Sequence, residues 1–420
     1  IDATDWVQIE KGLKQRAELL NHILADIYGQ RRLIKQGIIP PEIVFGHSGF
    51  LRACDAVKIS GQQQLLVYAA DLARGQDGHM WLYADRTQVP TGAGYALENR
   101  VVMARVMPHE LRDNHVQRLT DFFRQFAQNL QKFSQHRRED PYVVVLTPGP
   151  GNETYFEHAY FATYMGYPLV QGGDLLVRDN RVWLKSLDGI KQVDVILRRV
   201  DDAYCDPLEL REDSMLGVPG LLNAVRAGHV VLANPLGSGV LESRGLLPFL
   251  DACARYFLNE DLQLSSVATW WCGQSKERDY VIANLDKLVI KTADTSGTSW
   301  FGPLLSSDEK ARLLERIKAQ PGRYVGQECA QFSTAPAWAG QGKVEPRHMM
   351  FRGFLVADGK GYNVMPGGLT RVARDASGQF ITNQTGGISK DTWVLTDDVA
   401  RQARMGSFIQ MPSLSHHEGK

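Results

Sequence analysis

Apolar residues at Ile9, Leu13, Ala17, Leu20, Leu24 and Ile27 recur at steps of three or four, the repeat of a helix that buries one face. Asp5, with Gln8 three residues on, is its expected cap. Gly29 and the stretch from Gly37 to Pro41 break that repeat. Beyond them, Leu65 to Tyr68 and Met80 to Tyr83 predict two paired strands about the turn-rich Gln76-Asp77-Gly78. A second amphipathic helix is predicted through Val116, Leu119, Phe122, Phe126, Leu130 and Phe133, ending in the charged run His136 to Pro141, where a boundary is expected.

The pattern then changes. A strand over Tyr142 to Leu146, the loop Thr147-Pro148-Gly149-Pro150-Gly151, a helix from Glu153 to Met165 and a short strand at Pro168 to Val170 form a β-α-β unit, which predicts a parallel sheet. Leu175 to Val177 and Val182 to Leu184 flank Asp179-Asn180, and Val193 to Leu197 and Val230 to Leu232 supply further strands before a helix near Ser243 to Phe257. This middle segment is Rossmann-like in pattern but has no G-x-G-x-x-G, so a hydride-transfer reading lacks its main support. From Leu288 the texture is antiparallel: Leu288 to Lys291, a Gly/Ser/Thr loop, a helix from Ser307 to Ala319, a strand from Arg323 to Glu328, and a hairpin from Met349 to Met365 turning at Asp358-Gly359. The expectation is a mixed α/β and α+β chain of three units, residues 1–140, 141–265 and 266–395, followed by a tail at 396–420 with little core pattern.

Composition narrows the classes. Lys and Arg total 47, as do Asp and Glu, so no basic face is demanded and wholesale nucleic-acid binding is not expected. With 44% hydrophobic and 22% charged residues the chain is globular, and no apolar run is long enough to span a membrane. Five cysteines lie far apart without a C-x-x-C pair, which suggests neither a disulfide framework nor a zinc site and fits a cytoplasmic protein.

Candidate chemistry centres on Lys291, at the end of an apolar strand and directly before the small-residue loop Thr292 to Gly302. A lysine with a buried stem reaches phosphates, and such a loop folds backbone N–H groups over them. Taken alone, Lys291 reads equally as an edge lysine snorkelling to water. No P-loop is present, because Gly340-Gln341-Gly342-Lys343 fails its spacing.

Six stretches in order make the case specific: Tyr68 to Arg74, Asp85-Arg86-Thr87, Gly92 to Arg100, Asn152 to His158, Met365 to Arg371, and Ser389 to Trp393. Together they resemble the circularly permuted ATP-grasp family (type 2), whose members include proteins labelled glutathionylspermidine synthase-like. The resemblance implies an ATP-grasp fold with its metal-carrying lobe first, a Rossmann-like pre-ATP-grasp domain next and the nucleotide-holding lobe last. It implies ATP and Mg²⁺ as cofactors, with Lys291 and, less directly, Lys287 on the phosphates, and Gly297 and Gly302 in a glycine-rich lid. Gln327 and Glu328 then correspond to the adenine and ribose hinge. Asp71 and Asp85 would be metal ligands with Glu98 and Asn99 beside them; Arg74 or Arg86 would neutralise a transferring phosphoryl group; Arg371 and Lys390 resemble basic positions near the cleft.

The activity so implied is an ATP-dependent carboxylate–amine ligase acting through an acyl phosphate, with small-molecule or peptide substrates, no nucleic acid, no membrane, and partners in a peptide-modification pathway. No segment resembles the amidase domain of the bifunctional relatives. Where relatives show Lys-Pro before a longer glycine loop, this chain has Lys291-Thr292 and only Gly297 before Gly302. That departure motivates the alternative of a catalytically inactive nucleotide-binding scaffold.

Overall fold

The computed structural model describes residues 1–57, 63–134, 140–187, 189–294, 298–329, 332–340, 342–374 and 388–396. Residues 136–139 of the charged run, Gly297 of the expected lid and the tail from 397 lie outside them. The chain opens with the helix Ala3–Ile27, whose buried stripe contains Ile9, Leu13, Ala17, Leu20, Leu24 and Ile27. Its cap is Asp2, not Asp5: the Asp2 carboxylate accepts the Asp5 backbone N–H, three residues on. The stripe also contains Arg16, a charged residue with 0% exposure.

Strand β1 (Val67–Arg74) and β2 (Met80–Arg86) form the expected hairpin, with Gly78 at φ 80° in its turn. After the helices Ala93–Val106 and Thr120–Lys132 the parallel unit begins. β3 (Val143–Leu146) is followed by the helix Tyr155–Met165 and β4 (Leu169–Val170), which pairs parallel with β3. An antiparallel meander, β5 (Leu175–Arg178), β6 (Arg181–Ser186) and β7 (Gly189–Val193), turns at Asp179 and Asn180, both with positive φ, as that dipeptide suits. The expected single strand from Val193 to Leu197 is two. Asp194 separates β7 from β8 (Val195–Arg198), its carboxylate accepting the Tyr142 N–H that would otherwise face a ladder. β9 (Val231–Ala233) completes a parallel sheet in the order β4-β3-β8-β9. The helix that follows starts later than its sequence pattern, at Leu250–Leu258, because 3₁₀ turns occupy Ser238–Glu242 and Leu247–Phe249.

The remaining strands divide between two antiparallel sheets. β10 (Thr269–Trp271), β11 (Leu288–Thr292), β12 (Ser299–Phe301) and β13 (Tyr324–Glu328) form one, in the order β10-β13-β11-β12. One of its faces buries Leu288 and Ile290 against Val281, Leu313 and Ile317 of the helices Ser275–Ala283 and Ser307–Ala319. The other strands are β14 (Thr334–Gly340), the long β15 (Lys343–Ala357), β16 (Tyr362–Val364), β17 (Leu369–Val372) and β18 (Ile388–Asp391). These join β1 and β2 in a seven-stranded sheet whose spine runs β18-β17-β15-β1-β2. The segment 266–395, read above as one unit, thus serves two sheets, and the first hairpin is completed by strands nearly 300 residues later in the chain.

Asn234, directly after β9, ties the parallel sheet to this large sheet. Its Oδ1 accepts the N–H groups of Leu66 and Val67 at 3.0 and 2.7 Å, and its Nδ2 donates to the carbonyls of Val67 and Thr87 at 2.6 and 2.5 Å. All four bonds are buried, so losing the side chain strands backbone groups that water does not reach. Asn234→Ala is expected to lower unfolding free energy by about 2–4 kcal/mol in urea denaturation; a loss within experimental error would show that the two sheets are held by apolar packing alone.

Candidate active site

The large sheet and the four-stranded sheet face each other across a cavity of about 560 Å³. Tyr83, Phe332 and His348 line it from the large-sheet side, and Lys287, Val289, Phe301 and Glu328 from the other. A slot of this size, with Val289, Phe301 and Phe332 in its lining and polar groups at its rim, suits a planar heterocycle with a polar attachment. Lys287 and Glu328 are both exposed at that rim, where Leu288 and Glu328 are cross-strand partners.

Side chains alternate along β11, so Val289 and Lys291 project from the face opposite the core residues Leu288 and Ile290. Gln327, paired with Val289, lies on that same face. Lys291 is 5% exposed. Its ammonium donates to Gln327 Oε1 at 2.7 Å and to the Tyr83 hydroxyl, and lies 3.9 Å from the centroid of the Tyr83 ring. Gln327 is oriented in turn by donating to Thr269 Oγ1 at 3.1 Å. These partners are neutral. Burial first, and then the positive charges of Arg244 and Arg86, push Lys291 well below the ordinary lysine range. A buried cation among cations, satisfied only by neutral oxygens, is a site that gains from an anion.

Gly302 is buried, and a Cβ there would lie 1.7 Å from the Leu285 carbonyl oxygen. Its lack of a side chain is therefore a packing requirement between the end of β12 and the turn before β11. The near end of the loop is fastened as well: Arg244 donates to the carbonyls of Thr292 and Asp294, and His47 Nε2 lies 3.2 Å from Asp294 Oδ1.

On the large sheet Asp71 is 2% exposed and directly opposite Arg352 in the β1–β15 register. Arg352 binds it in a bidentate fork at 2.6 and 2.8 Å; Arg86 Nε adds 3.1 Å and Arg371 Nη2 3.3 Å. Burial opposes ionisation of Asp71, but Arg352 and then Arg86 outweigh it and hold the carboxyl below the usual range. Arg86 extends onward to Glu242, 3.8 Å away, whose carboxylate accepts the N–H groups of Thr87 and Gln88.

Asp85 faces elsewhere. Its carboxylate takes a fork from Arg16 at 2.8 and 2.8 Å and the Tyr68 hydroxyl at 2.6 Å, all inside the core beneath the first helix. Arg74 is not brought to Asp71 either: it pairs with Asp5 at 2.5 Å and with the Gly78 carbonyl at the hairpin turn. Glu98 lies near Tyr160, and Asn99 Oδ1 accepts from Ser389 Oγ at 3.4 Å; both side chains lie on the helix Ala93–Val106. Lys390, paired with Thr370, projects from the opposite face to Arg371 and donates to the Pro336 carbonyl. The structure thus gathers Asp71, Arg86, Arg371, Lys287, Lys291, Gln327 and Glu328 about the cleft, and sets Arg74, Asp85 and Lys390 apart from it.

Sequence reasoning missed Arg352, Arg244, Tyr83 and Arg16. Arg352 carried a signal as a charge inside an apolar stretch, and Arg16 as a charge at helical spacing between Leu13 and Leu20. Arg244 carried none, because its place follows from a 3₁₀ turn in a different segment.

Two antiparallel sheets enclosing a nucleotide-sized cavity, with a buried lysine on one and an arginine cluster on the other, have the architecture of an ATP-grasp protein. Residues 1–373 match the family described as circularly permuted ATP-grasp type 2, and the chain belongs to that family. It is 42% identical over 394 residues to the uncharacterized protein Rv2567 of Mycobacterium tuberculosis, covering 94% of this chain and 44% of the relative. It is 38% identical over 397 residues to the uncharacterized protein sll0335 of Synechocystis, covering 94% of this chain and 82% of the relative. The chain thus spans less than half the length of the mycobacterial relative. Among solved structures it is similar to a glutathione synthetase-like effector, GSS30, of Globodera pallida. That match has a TM-score of 0.57 at 12% identity, covers 94% and 88% of the two chains, and bears on fold alone. No helix among the described residues is long and apolar enough to cross a membrane.

Arg16 and Asp85 are 0% and 3% exposed, so removing one partner leaves an uncompensated charge in the core. Arg16→Met is expected to cost about 3–5 kcal/mol in chemical denaturation, with the double variant Arg16→Met/Asp85→Leu recovering most of it. Equal losses in the single and double variants would contradict the pairing.

Proposed function

We propose that this chain is an ATP-dependent ligase that joins a carboxylate to an amine. The observation that carries this reading is Lys291: buried, bonded among the described residues to the neutral oxygens of Gln327 and Tyr83, and within the field of Arg244 and Arg86 beside the cavity. Adenine would occupy the slot of Val289, Phe301 and Phe332, with Glu328 toward the ribose and Lys287 at the rim. The phosphates would extend to Lys291, which exchanges its neutral partners for phosphate oxygens.

In the reaction a carboxylate oxygen of the acid attacks the γ-phosphorus, the bond to the β-bridging oxygen breaks, and ADP leaves. The amine nitrogen then attacks the acyl carbon of the acyl phosphate, inorganic phosphate departs, and the nitrogen gives up a proton. These steps need alignment and charge neutralisation more than a protein nucleophile. Arg86, on the cleft side of Asp71, is placed to neutralise the transferring phosphoryl group.

ATP-grasp proteins generally use Mg²⁺ with ATP. In this arrangement the carboxylates nominated for it do not fit: the oxygens of Asp71 already accept four guanidinium bonds, and Asp85 lies in a core ion pair. Among the described residues no group of three His, Cys, Asp or Glu side chains could hold a metal. Charge neutralisation in the cleft falls to Arg86, Arg244 and Lys291.

Small-molecule or peptide acids and amines, glutathione-like or otherwise, fit this chemistry, as do partners in a peptide-modification pathway. A second reading, nucleotide binding without turnover, is favoured by the fastened start of the lid, where Arg244 and His47 hold Thr292 and Asp294.

ATP should bind the purified chain in calorimetric titration, with Lys291→Met weakening it on the order of 10–100-fold. Phosphate release that rises with a pool of acids and amines would support the ligase. Binding without acceptor-dependent release would support the second reading, and no binding would refute both. Because phosphate raises the depressed pKa of Lys291, ATP binding at about pH 8 should take up protons, read as a binding enthalpy that varies with buffer ionisation heat. The variation should vanish in Lys291→Met; its persistence there would assign the proton to another group.

A further inference from the structure

We propose that Asp71 is a positioning residue that fans Arg86, Arg352 and Arg371 into one anion site, where the reacting oxyanions bind, rather than a metal ligand. The identity of the anion rests on the nucleotide-binding reading above; the site itself rests on geometry.

Each oxygen of Asp71 accepts two bonds. Oδ1 takes Arg352 Nε and Arg371 Nη2, and Oδ2 takes Arg352 Nη2 and Arg86 Nε, so the usual acceptor directions of the carboxylate are in use. The three arginines come from three strands, β15, β17 and β2, and the β1–β2 register shifts directly after Asp71, where β2 carries one extra residue, Tyr83. They are graded in exposure. Arg352 is 8% exposed and is further tied to the Thr91 carbonyl, Arg371 is 11% exposed, and Arg86 is 31% exposed. Arg352 gives Asp71 two nitrogens, whereas Arg86 and Arg371 each give it one.

Three guanidinium groups share one buried carboxylate, and with Glu242 3.8 Å from Arg86 as a second acid the positive groups still outnumber the acids. Burial, and next Arg352, bring Arg371 down to about 10. Anions relieve such an excess, because charge-assisted bonds from arginine are strongest with carboxylate and phosphate. A divalent cation on Asp71 would have to displace guanidinium bonds and then sit beside three positive groups, which raises the charge it should lower.

The two roles separate by experiment with the whole chain. Tripolyphosphate is titrated calorimetrically in EDTA, and Mn²⁺ is titrated in a separate sample by water-proton relaxation. Asp71→Asn, confirmed folded by its thermal transition, should weaken tripolyphosphate on the order of tenfold and leave Mn²⁺ binding unchanged. Loss of Mn²⁺ binding with tripolyphosphate unaffected would overturn the proposal. So would wild-type protein that binds no tripolyphosphate. Wild type that binds tripolyphosphate but not ATP would remove the nucleotide reading and leave the anion site standing. If Asp71→Asn does not fold, Arg371→Gln makes the same comparison: weaker tripolyphosphate and unchanged Mn²⁺ are expected, whereas tighter Mn²⁺ binding would mean that Asp71 had been freed as a ligand.

Discussion

A carboxylate cannot stay ionised in the interior of a sheet without compensating positive charge, and Asp71 obtains it from three strands at once. That requirement determines much of the cleft. Asp71 and Arg352 meet because β1 and β15 pair in one register, and a slip of one residue would put the two side chains on opposite faces. β15 then seats β17, which carries Arg371, while β1 seats β2, which carries Arg86. The arginine cluster is therefore a consequence of sheet register as much as of side-chain chemistry.

Across the cavity the logic is inverted. Lys291 is buried among cations with neutral partners, so its favoured charge state awaits a ligand. The paired Asp71 stabilises the folded sheet, while the Lys291 amine, bonded to neutral oxygens, is a local cost that an anion would relieve. One side of the cleft is thus held fixed and the other is poised. Fixed donors aimed at a place where negative charge arrives are what positioning and charge neutralisation require.

Much of the fold was legible in the chain. Period-3.6 repeats located the helices Ala3–Ile27, Thr120–Lys132 and Ser307–Ala319, and alternation located the β1–β2 hairpin and the β15–β16 turn. The errors were local competitions. Asp2 captured the cap expected of Asp5, Asp194 split one strand into two, and 3₁₀ turns delayed the helix at Leu250. At the site, Lys291, Gln327 and Glu328 were legible because they sit on two adjacent strands, each near its own strand's C-terminal end. Asp71 and Asp85 looked alike in sequence, as acids on paired strands, and differ entirely in place. One lies among arginines at the cleft, and the other is locked to Arg16 in the core.

What the sequence determined by itself was the order of elements, the side of each that is apolar, and the family, because these depend on local periodicity and on short ordered motifs. The tertiary structure alone decided which charges meet. Arg352 stands 281 positions from Asp71, Arg371 stands 300 from it, and Lys291 stands 208 from Tyr83. No local pattern encodes such distances. They are set when a hairpin near the start of the chain accepts strands from near its end, and the charge of every group in the cleft follows from that closure.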